Sequence, residues 1–417
     1  MPPDETADGE AGVRITSEIG SLETVLCHTP GPELGVLTPT NRESYLFNDL
    51  LDLEKAAREH SRMKAILERF AEVHEIADLL EEAFQLPEAR RYLLEHRPDV
   101  TGEYSPDLSA EEWVRVFIEG EESSGGTLAS LLNEAGYTLP PLPNLFFLRD
   151  PAMVIGDGVV VAAMQHDVRW TEEVLVRALF THHPLLSNRG ILYDGAEERR
   201  LNTSIEGGDV HVLREDVVAV GVSERTSAAG IDSLRRALFS RTDVTELMAV
   251  LMPRHRTSIH LDMIFTMVDR ELCCVYAPYF RGPKRLPVLH MRASDDRVRE
   301  KPDLLEALSD VGMDMEPIYC GGRERTIQER EQWASGCNLF AVEPGTVLAY
   351  DRNEHTLEAL EEEGGFRVVS GVDFLTGDEE IEEDERTAIT FEGSELVRGG
   401  GGPRCMTLPV RRSPVSW

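Results

Sequence analysis

The chain has 417 residues, 41% of them hydrophobic, enough for one large domain or two to three ordinary ones. Its 76 acidic residues against 42 basic ones leave a net charge of −34, and a surface so acidic excludes nucleic acid and anionic membrane as partners. Lysine is confined to Lys55, Lys64, Lys284 and Lys301, and the charge suits a high-salt cytoplasm, where the screening length falls to about 3 Å at molar salt.

The six cysteines, Cys27, Cys273, Cys274, Cys320, Cys337 and Cys405, form no C-x-x-C, so neither a zinc site nor a redox pair is expected. The first residues lack the basic start and apolar run of a secretory signal, and no stretch approaches twenty apolar residues. The expectation is a reduced, cytoplasmic protein with no metal or cofactor, assembled as a homo-oligomer (dimer or tetramer).

Residues 1–13 read as a disordered acidic lead, and 14–417 as one α/β catalytic domain. Thr24–His28 is a strand closed by the turn Thr29-Pro30-Gly31. Within 50–140 the pattern turns helical, over Leu50–Phe84, Pro87–His96, Ser109–Glu119 and Thr127–Ala135, with Ser109 and Glu112 spaced as a capping box. This stretch reads as a helical subdomain inserted in a chain of another kind.

From Asn144 a unit of two strands, a helix and a strand recurs. Met153–Ile155 and Val159–Val161 flank a Gly156-Asp157-Gly158 turn, with a helix at Thr171–Phe180 and a strand at Gly190–Leu192. The order returns at Val210–Leu213 with Val217–Val222, at Met263–Val268 with Cys273–Tyr276, and at Leu339–Val342 with Val347–Tyr350, the last closed by a helix at Leu357–Glu363 and a strand at Phe366–Val369. The first strand and last segment make a possible fifth unit, and such repetition predicts a radial α/β architecture that closes on itself; an open α/β sheet is the competing pattern.

Chemistry-bearing residues stand at the entrances to these hairpins. Asn144 to Pro151, with Phe147 and Asp150, precedes the first, Glu206-Gly207-Gly208-Asp209 the second and His260-Leu261-Asp262 the third, while Gly399–Gly402, Arg404 and Cys405 precede the final strand. Four consecutive glycines permit positive φ and close approach to a ligand. If the repeats are equivalent, one cysteine, one histidine and several carboxylates converge.

Cysteine beside histidine is the arrangement for covalent catalysis, with a shared proton that predicts a bell-shaped pH profile. Carboxylates around them repel an oxyanion and suit a cation, and a guanidinium matches them with a flat array of N–H donors. Singly, Asp150 and Glu206–Asp209 read equally well as turn formers and His260 with Asp262 as a satisfied core pair or as metal ligands short of a third; the other five cysteines read as packing residues.

Phe147-x-Arg149-Asp150, Glu206-Gly-Gly-Asp209-Val210, His260-x-Asp262 and Arg404-Cys405-Met406 together resemble, in order, the motifs of the guanidino-group-modifying superfamily. Over nearly the whole chain, from Ser17-Glu18-Ile19-Gly20 onward, the sequence is most similar to the arginine deiminase family. The resemblance implies a five-fold pseudosymmetric α/β propeller (pentein) of ββαβ-type repeats with an inserted α-helical bundle, and hydrolysis of L-arginine to L-citrulline and ammonia. It implies Cys405 as nucleophile, His260 as proton carrier, Asp150 and Glu206 as holders of the guanidinium, and Asp262 as a binding and orienting group.

The same resemblance places Arg169 and Arg225 at the substrate carboxylate, a role their two-pronged geometry suits, and Asn144, Phe147 and Leu46 along the pocket. One departure stands out: Gly400 occupies a position where the family usually carries arginine, which leaves Arg398 as a candidate to take over part of its role. The alternatives are an amidinotransferase or another guanidine hydrolase of this fold and, from a different class, a non-catalytic binding module.

Overall fold

Short β-branched runs divided by glycine turns become the hairpins of a mixed α/β structure, described by a computed structural model over residues 12–96, 108–123, 128, 136–195, 203–382 and 385–417. Nearly all of the acidic lead, and the segment Thr127–Ala135 apart from Leu128, lie outside the described residues.

Strand β1 (Leu22–Cys27) pairs in parallel with β2 (Glu72–Glu75). Between them runs α1 (Leu53–Leu67), started by the Asp52 carboxylate accepting from the Lys55 N–H. Helices α2 (Ile76–Ala83), α3 (Pro87–His96) and α4 (Ala110–Glu119) follow, the last opened by the capping box expected from Ser109 and Glu112. They bury Leu80, Phe84, Trp113 and Phe117 in a core shared with the neighbouring sheets, each such side chain contributing roughly 1.5–3 kcal/mol. A ribbon of β3 (Glu121–Glu122) and β4 (Tyr137–Leu139) ends this stretch.

Next, β5 (Ala152–Ile155) and β6 (Gly158–Val161) form the expected hairpin; Gly156 at its turn takes φ +60°, which favours glycine. After α5 (Trp170–His182) the chain returns as β7 (Ile191–Asp194), parallel to β6. The same order gives β8 (Val210–Arg214) antiparallel to β9 (Val217–Val222), then α6 (Ala228–Arg241) and β10 (Glu246–Leu251) parallel to β9. It recurs with β11 (Phe265–Met267) and β12 (Leu272–Val275). The following hairpin, β13 (Val288–Arg292) with β14 (Val298–Lys301), attaches instead to β10 of the preceding sheet. Helix α7 (Leu304–Ser309) then leads to β15 (Glu316–Tyr319), parallel to β12.

Helix α8 (Arg325–Trp333) introduces the fourth hairpin, β16 (Phe340–Glu343) with β17 (Thr346–Tyr350). Beyond α9 (Glu354–Gly364), β18 (Arg367–Ser370), α10 (Gly371–Thr376) and β19 (Thr387–Phe391), the chain ends on β20 (Leu408–Arg412), antiparallel to β1. The closing strand of the fourth unit is β19, not the Phe366–Val369 segment expected from sequence: β19 lies between β17 and β18 and is buried throughout, whereas Arg367 and Val368 remain half-buried at the edge. The more apolar strand takes the position covered on both sides.

Five sheets therefore share one pattern, an antiparallel pair whose second strand carries a parallel third, with β20, β1 and β2 filling those places in the fifth. No helix among the described residues is long and apolar enough to cross a membrane.

Candidate active site

Hydrogen bonds join the entrances of the five pairs in a closed circuit. Gly207 N–H donates to the Asp150 carbonyl at 3.0 Å, Leu261 N–H to Asp209 Oδ1 at 3.0 Å, and Asn338 Nδ2 to the Asp262 carbonyl at 3.2 Å. Cys405 N–H donates to Asn338 Oδ1 at 3.1 Å, and Arg149 N–H returns the circuit to the Cys405 carbonyl at 3.1 Å. Residues hundreds of positions apart meet because each stands just before the first strand of its sheet.

Glycine makes the approach possible. A Cβ on Gly208 would fall 2.5 Å from His260 Nδ1, and one on Gly401 2.5 Å from Phe147 Cε1. Within Gly399–Gly402 only Gly400 takes a positive φ, +93°.

Cys405 is buried, and its thiol donates to Asp262 Oδ2 at 3.5 Å. Asn338 spends its other amide hydrogen on Sγ at 3.1 Å, so one side chain fixes both the backbone and the sulfur of the cysteine. Burial pushes the thiol well above its ordinary value, Asp262 and Asp150 push it further, and the Gly402 N–H and Arg404 only partly oppose them. Arg404 is fully enclosed, donating to both oxygens of Glu18, to Asp262 Oδ2 and to the Val210 carbonyl.

His260 is set among carboxylates, with Nε2 2.8 Å from Glu206 Oε2 and Nδ1 3.6 Å from Asp150 Oδ1. Burial opposes its charge, yet Asp150, Glu206 and Asp209 outweigh burial and hold the ring up to about 9. For Glu206, burial raises and Arg225 with His260 lowers, leaving the carboxyl far below its usual range. Asp209, bonded to Ser223 and to Leu261 N–H, is pushed up to about 7 by burial, against the pull of His260.

Both Glu206 oxygens are engaged, Oε1 by Gln165 N–H and Oε2 by His260 and Arg225. In contrast, Asp150 Oδ1 and Asp262 Oδ1 are buried and accept no hydrogen bond. Two buried acceptors without donors suit the N–H groups of a ligand.

An inner chamber of about 40 Å³ is lined by Cys405, His260, Asp150, Asn144, Phe147 and Arg169. It shares Leu46, Arg225, Ile259, Met263, Gly399 and Gly400 with an outer cleft of about 640 Å³. Leu46 holds φ +69°, fixed by Arg256 Nη2 donating to its carbonyl at 3.0 Å. Most of the sequence-derived candidates line this chamber; Glu206 and Asp262 do not, but bond to His260 and Cys405, which do, and two further distinctions appear. Arg169 gives its donors to Glu172, to Asp150 Oδ2 and to the carbonyls of Asn144 and Phe147, whereas Arg225 keeps a buried Nε–H without an acceptor. Arg398 lies in the outer cleft, paired with Asp49 and Glu395, and does not reach the chamber.

Asn338 was not singled out from sequence. It occupies the entrance to the fourth hairpin, so the repeat that nominated the other positions also points to it. Asp150, Glu206 and His260 each also place one donor atom within 4.8 Å of the others, a spacing that suits a metal ion as well as an organic cation.

Comparison with solved structures shows which folds this one resembles. The chain is similar to an amidinotransferase of saxitoxin biosynthesis from Microseira wollei (TM-score 0.53, 14% identity, 97% of this chain and 98% of that one). It is also similar to the N-terminal domain of an arginine dihydrolase of the cyanobacterial ornithine–ammonia cycle (TM-score 0.51, 14% identity, 93% and 97%). Residues 43–412 match the arginine deiminase family. The arginine deiminase of Bacillus cytotoxicus is 34% identical over 430 residues, covering 97% of this chain and 99% of that one, and the Streptococcus sanguinis enzyme is 34% identical over 432 residues with the same coverage. The chain belongs to the arginine deiminase family.

Proposed function

We propose that the protein hydrolyses L-arginine to L-citrulline and ammonia through a covalent intermediate on Cys405. The observation that carries this reading is the pair of buried carboxylate oxygens that accept no hydrogen bond, Asp150 Oδ1 beside the His260 ring and Asp262 Oδ1 on the carboxylate facing the Cys405 thiol. A planar cation with several N–H donors satisfies both, and its charge offsets the carboxylates that keep the thiol neutral.

Docking of the guanidinium thus favours loss of the thiol proton to solvent, and the sulfur adds to the guanidinium carbon. Collapse of the adduct breaks a C–N bond; His260, charged beforehand, gives its proton to the departing nitrogen, which leaves as ammonia. The now neutral imidazole takes a proton from water as oxygen adds to the thiouronium carbon, and expulsion of the thiolate yields the ureido group of citrulline. Glu206 keeps His260 oriented, Arg169 holds Asp150, and Arg225, with a donor to spare, receives the α-carboxylate. Asn144, Phe147 and Leu46 shape the passage.

Incubation with arginine is expected to release ammonia and citrulline in equal amounts, unaffected by chelators, with no turnover by Cys405→Ser. Ornithine and a new guanidine would instead indicate amidino transfer, and inhibition by chelators would indicate a metal ion between Asp150, Glu206 and His260. Turnover by Cys405→Ser would refute the covalent mechanism.

We further infer that the five sheets close into a propeller bearing a helical insertion over 50–140, a reading supported by the shared strand pattern and the hydrogen-bond circuit. A salt-adapted cytoplasmic homo-oligomer is the accompanying proposal; the net charge of −34 supports the salt adaptation, and full activity in dilute buffer would contradict it.

A further inference from the structure

Next to the backbone of Cys405, three arginines, Arg149, Arg404 and Arg412, are buried. Arg404 is satisfied by Glu18 and Asp262. Arg149 and Arg412 form no ion pair with a described carboxylate. Arg149 donates through Nε to the Arg404 carbonyl at 3.3 Å, and its Nη2 is buried without an acceptor. Arg412 donates to the carbonyls of Gly20 and Ala341 and lies over the Phe340 ring.

The charges do not balance. Three guanidinium groups face the carboxylates of Glu18 and Asp262, while burial, then Arg404, holds the adjacent His211 neutral, and the Cys405 thiol is neutral for the reasons already given. One positive charge is left over in a region where an unpaired ion costs several kcal/mol. Burial, then Arg404, pushes Arg149 down to about 10, and burial brings Arg412 down to about 9 despite Glu18.

Between Arg149 and Arg412 lies a cavity of about 10 Å³, bounded also by Ser17, Glu18, Met153 and Val212. That is roughly the room one small particle needs. Ser17 Oγ accepts the N–H groups of Ile19 and Gly20, leaving its own hydrogen free to donate. Glu18 is the one repelling group, and both its oxygens are turned to Arg404, with Oε1 also taking Val212 N–H.

We propose that this cavity is a binding site for a small monovalent inorganic anion of the halide class, held by Arg149, Arg412 and Ser17. A water molecule fits the space and leaves the charge unbalanced; a halide supplies the missing charge and accepts from all three groups. The site also bears on the nucleophile. Arg149 and the Cys405 sulfur interact electrostatically, so thiolate and halide compete to neutralise the same excess charge.

The experiment compares chloride with gluconate, too large for the cavity, at one fixed high ionic strength. Chloride is expected to raise the melting temperature by about 3 °C and to slow alkylation of Cys405 about threefold. Both effects should vanish in Arg412→Gln and in Val212→Leu, which fills the cavity without changing charge and keeps the test open should the first variant fold poorly. Crystals grown in bromide should give an anomalous peak at hydrogen-bond distance from Arg149 Nη2. An equal chloride effect in both variants, or a cavity holding only water, overturns the proposal. So does a bromide peak without any chloride dependence, which marks an adventitious ion only. The readouts are independent of arginine turnover, so the site stands or falls apart from the proposed reaction.

Discussion

The two groups proposed to carry the chemistry, His260 and Cys405, sit in opposite electrostatic surroundings. His260 faces Asp150, Glu206 and Asp209, while the backbone of Cys405 is seated over Arg149 and Arg404. The acidic half overcomes burial and keeps the histidine charged up to about 9. The basic half does not overcome burial, because Asp262 ties up Arg404 and itself faces the sulfur, so the thiol stays neutral. The resting site is thus charged where a proton is to be delivered and uncharged where a nucleophile is needed. A cationic ligand seated on Asp150 corrects the second and, by drawing on the same carboxylate, eases release of the proton from the first.

Glu206→Gln strikes the acidic half hardest. Glutamine matches the shape and loses the charge that orients His260 and pairs with Arg225, leaving that guanidinium buried without its partner. General acid–base catalysis contributes about 10²–10⁴-fold and the substitution removes a charge that keeps His260 in its acid form, so kcat/KM for arginine is expected to fall about a thousand-fold. A loss under tenfold would mean that Asp150 and Asp209 suffice, and the contrast between the halves would lose its main support.

The charge on His260 also affects stability. Its folded pKa of about 9 lies above the unfolded value near 6.5, so the contribution is complete below about pH 6.5 and disappears as pH rises through 9. The difference corresponds to on the order of 3 kcal/mol. Asp209, raised to about 7, loses its similar contribution between about pH 4 and 7, below that window, and Cys405, raised well above 9, acts above it. Urea unfolding at pH 6.5 and pH 9 should therefore show a decline in the parent that is largely absent in His260→Asn. Turnover should hold over most of that interval and fall only as pH passes through about 9, where folded His260 loses the proton for ammonia. Parallel slopes in parent and variant would place the charge elsewhere.

On the basic half the sharpest probe is Asn338, and it shows how far the sequence could be read. Positions before strands of a repeat, ranked by ionisable chemistry, led to Asp150, Glu206, His260 and Cys405. The same rule reaches Asn338, but an amide beside a packing cysteine carries no nucleophilic or acid–base signal. Its two bonds to Cys405 depend on tertiary contact alone. Burial and pairing are equally hidden in a sequence. Arg169 and Arg225 read alike until one proves occupied by Glu172 and Asp150, and β19 takes the inner place from β18 because of what covers it. Asn338→Ala is expected to reduce kcat about thirtyfold with little change in KM, the loss of about 2 kcal/mol from hydrogen bonds to a group that becomes charged. It should also move the pH dependence of Cys405 alkylation upward. An unchanged alkylation profile would reduce Asn338 to a structural tie.

The smallest effect is expected at the rim. Arg398 is partly exposed and spends its donors on Asp49 and Glu395 in the outer cleft, where solvent screens ion pairs to about 0–1 kcal/mol. Gly400, at the position where the resemblance leads one to expect arginine, has φ +93° and open space beside its Cα, so no guanidinium comes from there. Arg398→Ala should then raise KM no more than about threefold and leave kcat unchanged, through looser closure of the Asp49 segment over the cleft. A tenfold rise in KM would bring Arg398 into contact with the substrate carboxylate in the closed state. The division of labour would change with it, Arg225 sharing the carboxylate with a residue that reaches the chamber only when the ligand is bound.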